Sequence, residues 1–217
     1  MTGSALKALE IGTGSGNVLR YISGKNISMD GADIHKESFA HITGYAKKTF
    51  LYDINDDPDR AGTADYKQSY DAVILGDVIE HVDDPVRALT NAAYFCKKGG
   101  LIIITVPALQ ALWSPYDVAC GHRKRYDRGS LEKEMLGAGL QPIYCKYFFL
   151  SMAVILFLRR RIFPADHDAP EDCVRNEFRI GRFSNYLCSI ACLVEYPVNM
   201  ACQFPFGSSL IAAGRAA

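Results

Sequence analysis

The sequence has no excess of charge. Among 217 residues, Lys plus Arg number 24 and Asp plus Glu number 24, for a formal net charge of zero. Proteins that grip nucleic acid through its phosphates usually carry a basic excess, so no nucleic-acid partner is expected. Useful cysteine spacing is also missing. The seven cysteines, Cys96, Cys120, Cys145, Cys173, Cys188, Cys192 and Cys202, include no CxxC pair, and their number is odd. That fits neither a disulfide framework nor a zinc ribbon and suits a reducing compartment. Cys188 and Cys192 read as core packing ahead of metal ligation. No secretory signal opens the chain, because Glu10 interrupts the apolar run that follows Met1–Lys7. The apolar run Tyr147–Leu158 is about half the length of a membrane span. Internal repeats and low-complexity segments are absent. These absences lead us to expect a cytoplasmic protein with no membrane span, and they leave peripheral membrane contact open.

What is present is an ordinary globular mix, 49% hydrophobic and 22% charged, in a length that suits one domain. Up to about Pro107, short apolar runs alternate with amphipathic stretches. Strands are expected at Ala5–Ile11, Ile27–Ile34, Thr49–Leu51, Ala72–Leu75 and Leu101–Val106, and helices at Asn17–Ile22, Lys36–Ala46 and Pro85–Phe95. Asp83, Asp84 and Pro85 supply start signals for the last of these, and Gly99–Gly100 its stop. Strands apolar on both faces, alternating with helices, imply a parallel sheet covered on both sides. After a long polar and aromatic connection at Ala108–Arg128, we expect helix Ser130–Ala138, strand Gln141–Phe148, helix Ser151–Phe163, an acidic loop at Pro164–Asp172, helix Asn185–Cys202 and strand Ser208–Gly214. The expected architecture is a Rossmann-like, doubly wound, mostly parallel seven-stranded sheet with helices on both faces. A helical insertion at about 151–203 precedes the last strand. The whole reads as one domain, with a cofactor half at 1–107 and an acceptor half at 108–217.

The strongest local signal is Leu9-Glu10-Ile11-Gly12-Thr13-Gly14-Ser15-Gly16. A strand ends in an acid, and a glycine turn then feeds a helix whose first N–H groups are unpaired. Glycines there permit positive φ and a close ligand approach. A carboxylate at Glu10 attracts a cation and would sit poorly beside a pyrophosphate. Asp33, at the next strand end, stands where two ribose hydroxyls can be gripped, or serves as a turn residue or helix cap.

Four segments in this order, Glu10–Gly16, Gly31–Ile34, Tyr70–Pro85 and Lys98–Pro107, resemble the class I S-adenosylmethionine-dependent methyltransferases. The resemblance implies S-adenosyl-L-methionine as cofactor and S-adenosyl-L-homocysteine as product. It implies that Gly12, Thr13, Gly14 and Gly16 pass under the cofactor and that Glu10 lies near the methionine amino end. Asp33 would hold the ribose, and Ile34 would lie against the adenine. Asp53 and Ile54 would meet the adenine edge and face, with a solvated loop acid as the alternative for Asp53. Gly76 and Asp77 would line the methyl side. His81 falls near the acceptor end, as an acid–base candidate or a helix cap.

A second constellation, Trp113 to Tyr126, mixes an aromatic plate, an acid, an imidazole and cations. Trp113, Tyr116, Arg123, Arg125 and Tyr126 are candidates for binding an anionic or polyhydroxylated acceptor, and Arg123–Arg125 is otherwise a solvated basic run. With Phe204–Gly214, this stretch resembles a subgroup of bacterial methyltransferases associated with saccharide or lipid-linked sugar pathways. That subgroup usually carries extra helices before the first strand, so the cofactor here is expected to be more exposed or covered by a partner. A hydroxyl acceptor needs a general base, and His122 is the first candidate, with His81 or Asp117 as substitutes. No metal-ligand cluster stands out. The apolar helices of the insertion suit dimerisation, a lipid acceptor or a membrane surface, but a cap packed on its own sheet is the favoured reading. Two rival functions remain open. One is a non-catalytic binding or assembly partner on the same fold. The other is a nicotinamide-dependent oxidoreductase, disfavoured by Glu10 and by the glycine spacing.

Overall fold

Strand β1 (Leu6–Ile11) runs through the glycine turn into helix α1 (Asn17–Ile22), and repetition of this unit builds the sheet. The computed structural model describes residues 5–24, 26–162 and 181–217. The expected Pro164–Asp172 loop and Cys173 lie outside the described residues. The further elements are β2 (Ile27–Asp33), α2 (Phe39–Ile42), β3 (Thr49–Leu51), β4 (Tyr70–Gly76), α3 (Pro85–Phe95), β5 (Cys96–Pro107), α4 (Pro115–Ala119), α5 (Arg128–Gly137), β6 (Gln141–Phe148), α6 (Leu150–Ile162), α7 (Arg182–Ala201) and β7 (Ser209–Arg215).

Seven strands form one sheet in the order β3-β2-β1-β4-β5-β7-β6. β1 pairs in parallel with β2 and β4, as do β2 with β3 and β4 with β5. The chain senses of β5 and β7 are opposed. Gly99 N–H donates to the Ala216 carbonyl, while Ala108 N–H donates to that of Ser208. This is the expected mostly parallel α/β sheet. Its strands read as continuous apolar runs because both faces are covered. On one face Ala8, Met29 and Ile74 pack with Leu19 of α1 and Ile42 of α2. Alternation sends Leu9, Val73, Leu75 and Ile102 to the other face, and α3 packs on β4.

Most elements differ from expectation by one to three residues at an end, and two differ further for a physical reason. The helix expected over Lys36–Ala46 is a 3₁₀ turn, Lys36–Ser38, followed by one turn of α2, after which Gly44 takes φ 84°. Gly99 and Gly100 do not end α3. Cys96 is already extended, and the register with β4 jumps from Tyr70–Cys96 to Ala72–Leu101. Residues 97–100 therefore bulge out of β5, with Gly99 at φ 75°.

The chain divides into two compact units, Met1–Thr105 with Glu132–Tyr144 and Ala212–Ala217, and Val106–Leu131 with Cys145–Ile211. In the second unit, Tyr126 is fully buried and bridges Ala108. Helices α6 and α7 pack on each other. Ala153 is the one buried residue of α6, and none described on α7 is buried. The reason is the stripe that α7 turns inward, which is made of small and polar residues rather than its large apolar ones.

Candidate functional site

In the first unit, the carboxyl ends of β1, β2 and β4 open into a cavity of about 460 Å³. Such strand ends are where open α/β sheets bind ligands. Its walls include Gly12, Gly14, Asp33, Ile34, Asp53, Ile54, Asp77 and His81. A Cβ at Gly12 would lie 2.5 Å from Val78 Cγ2, so glycine is required there for packing. Gly14 has φ 45° and nothing within 4 Å of a built Cβ, which leaves open space for a ligand over the backbone. A Cβ at Gly16 would strike Ile42 of α2, so this glycine seats helix on helix and does not line the cavity.

Asp33 ties the turn to β2. Its Oδ2 accepts from Gly14 N–H at 2.9 Å and from the Thr13 hydroxyl at 3.3 Å, and its Oδ1 accepts from His35 N–H at 2.8 Å. A carboxylate has about four lone-pair positions, so capacity for a further donor remains. Glu10 is 3% exposed, and its Oε2 meets no hydrogen-bond partner among the described residues. Burial pushes its carboxyl up to about 7, opposed by the Leu19 N–H and reinforced by the Asp33 charge. A buried acid with an unpartnered oxygen fits a cationic ligand group. Asp77 closes β4 at φ 53°, with its N–H on the Thr105 carbonyl and the Thr105 hydroxyl on its Oδ1. Gly76 precedes it outside the cavity wall.

Sequence reasoning missed several groups. His35, Ser38, Tyr52, Asn55, Val78 and Val82 also line the cavity. Most adjoin a predicted residue and could have been found by extending each strand end by one. Asn91 of α3 holds the Asp53–Asp56 loop from behind, its amide donating to the carbonyls of Ile54 at 2.8 Å and Asp56 at 2.9 Å. An Asn among Ala88, Leu89 and Ala92 on a buried helix face was its available signal.

In the second unit, Ser114 and Asp117 form a capping box at the start of α4. Asp117 is completely buried. Its Oδ1 lies 3.0 Å from His122 Nδ1 and accepts from Arg125 Nε at 2.8 Å. Its Oδ2 accepts from the Ser114 N–H at 2.9 Å and hydroxyl at 3.2 Å. Burial alone would push this carboxyl up, but His122 and Arg125 together hold it below its ordinary range. The His122 ring meets Tyr116 edge-on, with centroids 6.5 Å apart. Two of the acceptor-binding candidates are corrected here. The Tyr126 ring is core, and the Arg125 side chain, 6% exposed, is committed to Asp117 and the Ala108 carbonyl. Trp113 is half-buried and Arg123 is exposed.

Residues 3–144 match the sequence model of a methyltransferase domain, and the chain belongs to that family. The methyl donor is S-adenosylmethionine, as the motifs implied. No curated protein matches the sequence. Among solved structures, the chain is similar to a SAM-dependent methyltransferase from Archaeoglobus fulgidus, with 15% identity, TM-score 0.60, and coverage of 97% of this chain and 86% of that one. It is also similar to a Haloferax volcanii chain solved with the Trm112 methyltransferase activator, with 18% identity, TM-score 0.60, and coverage of 98% and 83%. A third is Haemonchus contortus phosphoethanolamine N-methyltransferase 2 in complex with S-adenosyl-L-methionine, with 15% identity, TM-score 0.58, and coverage of 99% and 49%. At such identities the likeness is one of fold.

Proposed function

We propose that this protein methylates an oxygen of a small-molecule, saccharide or lipid-linked acceptor, with His122 as general base. The observation that carries the oxygen reading is the Asp117–His122 pair, because a carboxylate on Nδ1 orients the ring for proton uptake at Nε2. In this reading Gly12 and Gly14 carry the cofactor over the turn, and Asp33 takes its ribose hydroxyls. Glu10 offers Oε2 to its amino group, while Ile34, Asp53 and Ile54 surround the adenine. The bound cofactor supplies a methyl group already activated by its sulfonium. The chain's own residues orient the acceptor and remove its proton. Arg125 acts as a positioning residue that keeps Asp117 ionised. Trp113, Tyr116 and Arg123 remain the acceptor-binding candidates, and His81 on the cavity wall is the substitute base.

The test uses methyl-tritiated cofactor with polar and lipid fractions of a cell extract, alongside calorimetric titration with S-adenosylhomocysteine. His122→Asn should lower methyl incorporation by about 10²–10⁴-fold while leaving homocysteine-nucleoside binding unchanged. Undiminished incorporation removes His122 from the role. Binding without incorporation in the unsubstituted protein favours the non-catalytic reading, and absence of binding sinks the cofactor placement itself.

A further inference from the structure

The cavity wall that follows β3 stands on a short edge of the sheet. β3 is three residues long and lies at the end of the strand order beside β2, so the sheet supports the chain leaving it on one side only. The loop Asp53–Asp56 is nevertheless held at three of its four carbonyls. Asp56 N–H donates to the Asp53 carbonyl at 2.9 Å. The Asn91 amide donates to the carbonyls of Ile54 and Asp56, and the Tyr52 hydroxyl donates to that of Asp56 at 3.1 Å. Asn91 is 8% exposed, and both its partners are carbonyl oxygens, so its NH2 group alone can serve them and both protons are spent. Tyr52 is buried too. That burial, with the charges of Asp56, Asp53 and Asp57, pushes its phenol up, so the hydroxyl stays a donor. The Tyr52 ring meets Phe95 of α3 edge-on, with centroids 5.1 Å apart, which seats the helix against the strand that feeds the loop.

The consequence falls on Asp53. Its Oδ1 accepts from the Asn55 N–H and side-chain amide, both at 2.9 Å. This Asx turn leaves Oδ2 for a donor in the cavity that Asp53 lines. A carboxylate fixed in this way accepts from the 6-amino group of adenine and opposes a 6-oxo purine, but only while the loop keeps its direction.

We infer that Asn91 is a positioning residue for base recognition: with Tyr52 it fixes the Asp53–Asp56 loop so that the site tells a 6-amino purine from a 6-oxo purine. The inference rests on the cofactor placement proposed above and adds to it by assigning base selectivity to a helix with no residue on the cavity wall. Calorimetric titration with S-adenosylhomocysteine and with S-inosylhomocysteine reads it, because the ratio of the two affinities does not depend on how much protein is folded. The unsubstituted chain should prefer the adenine form by roughly a hundredfold. Asn91→Leu, similar in size but without donors, should shrink that ratio by roughly tenfold, and Tyr52→Phe by roughly threefold. An unchanged ratio in Asn91→Leu, even with both affinities lowered, means support of the fold alone; it overturns the inference and leaves the cofactor placement intact. If that variant does not fold, an unchanged ratio in Tyr52→Phe has the same force. Equal affinities in the unsubstituted chain overturn the inference together with the adenine role of Asp53. Binding of neither nucleoside sinks the cofactor placement and the inference with it.

Discussion

A carboxyl group that is 3% exposed and pushed up to about 7 makes Glu10 sensitive to pH near neutrality. In the unfolded chain this acid ionises near its ordinary 4.5. Between those values the unfolded state holds fewer protons, so stability without ligand falls as pH rises, by up to about 3 kcal/mol. Glu10→Gln should remove that slope, as read by urea midpoints at about pH 5 and about pH 8. A cationic group beside Oε2 favours the ionised form. The affinity for S-adenosylhomocysteine should therefore rise through about pH 7 in the unsubstituted protein and stay flat in Glu10→Gln. Calorimetric titration across that range decides it. At this scale the candidate site was partly readable in advance, since Glu10 and Gly14 stand in a motif whose spacing already implies a strand, a turn and a helix start. Asn91 carried only the cue of a polar residue on a buried helix face, because nothing local says which loop its side chain reaches.

Helix α3, which has local start signals, was foreseen with its observed bounds of Pro85–Phe95. Helix α3 begins at Pro85 because Asp84 accepts from the Arg87 N–H at 3.0 Å and Pro85 has no N–H to leave unpaired. Asp84→Ala should cost about 1 kcal/mol of global stability, measured as a shift in denaturation midpoint at constant slope. The stop signal of α3 was misread for a physical reason. Gly99 and Gly100 carry the turn chemistry of a helix stop, yet they serve a bulge whose need arises only from pairing β5 with β4. Apolar periodicity likewise located α6 and α7. It could not say which face of α7 is turned inward, because that is decided by Glu195 and Asn199 meeting Ser151 and Tyr147, far away in sequence.

For the whole molecule, ligand binding should appear as added stability. S-adenosylhomocysteine at about a hundredfold its Kd should stabilise the fold by about 2.7 kcal/mol, raising the melting temperature by roughly 5–10 °C. Asp33→Asn should shrink that shift severalfold by weakening its hold on the ligand hydroxyls and on the Gly14 turn. Scanning calorimetry with and without ligand reads both, and an undiminished shift in the variant removes Asp33 from the site. The sequence by itself determined the strand–helix alternation, the parallel character of the sheet and the family, because those depend on periodicity, turn residues and motif order along the chain. Only the tertiary structure decided that Arg125 serves Asp117 rather than an acceptor, that Tyr126 is core, and that large apolar residues such as Leu158 and Leu193 are exposed among the described residues. Those outcomes depend on which groups meet after folding, and a buried carboxylate or an apolar helix face finds its partner through space rather than along the chain.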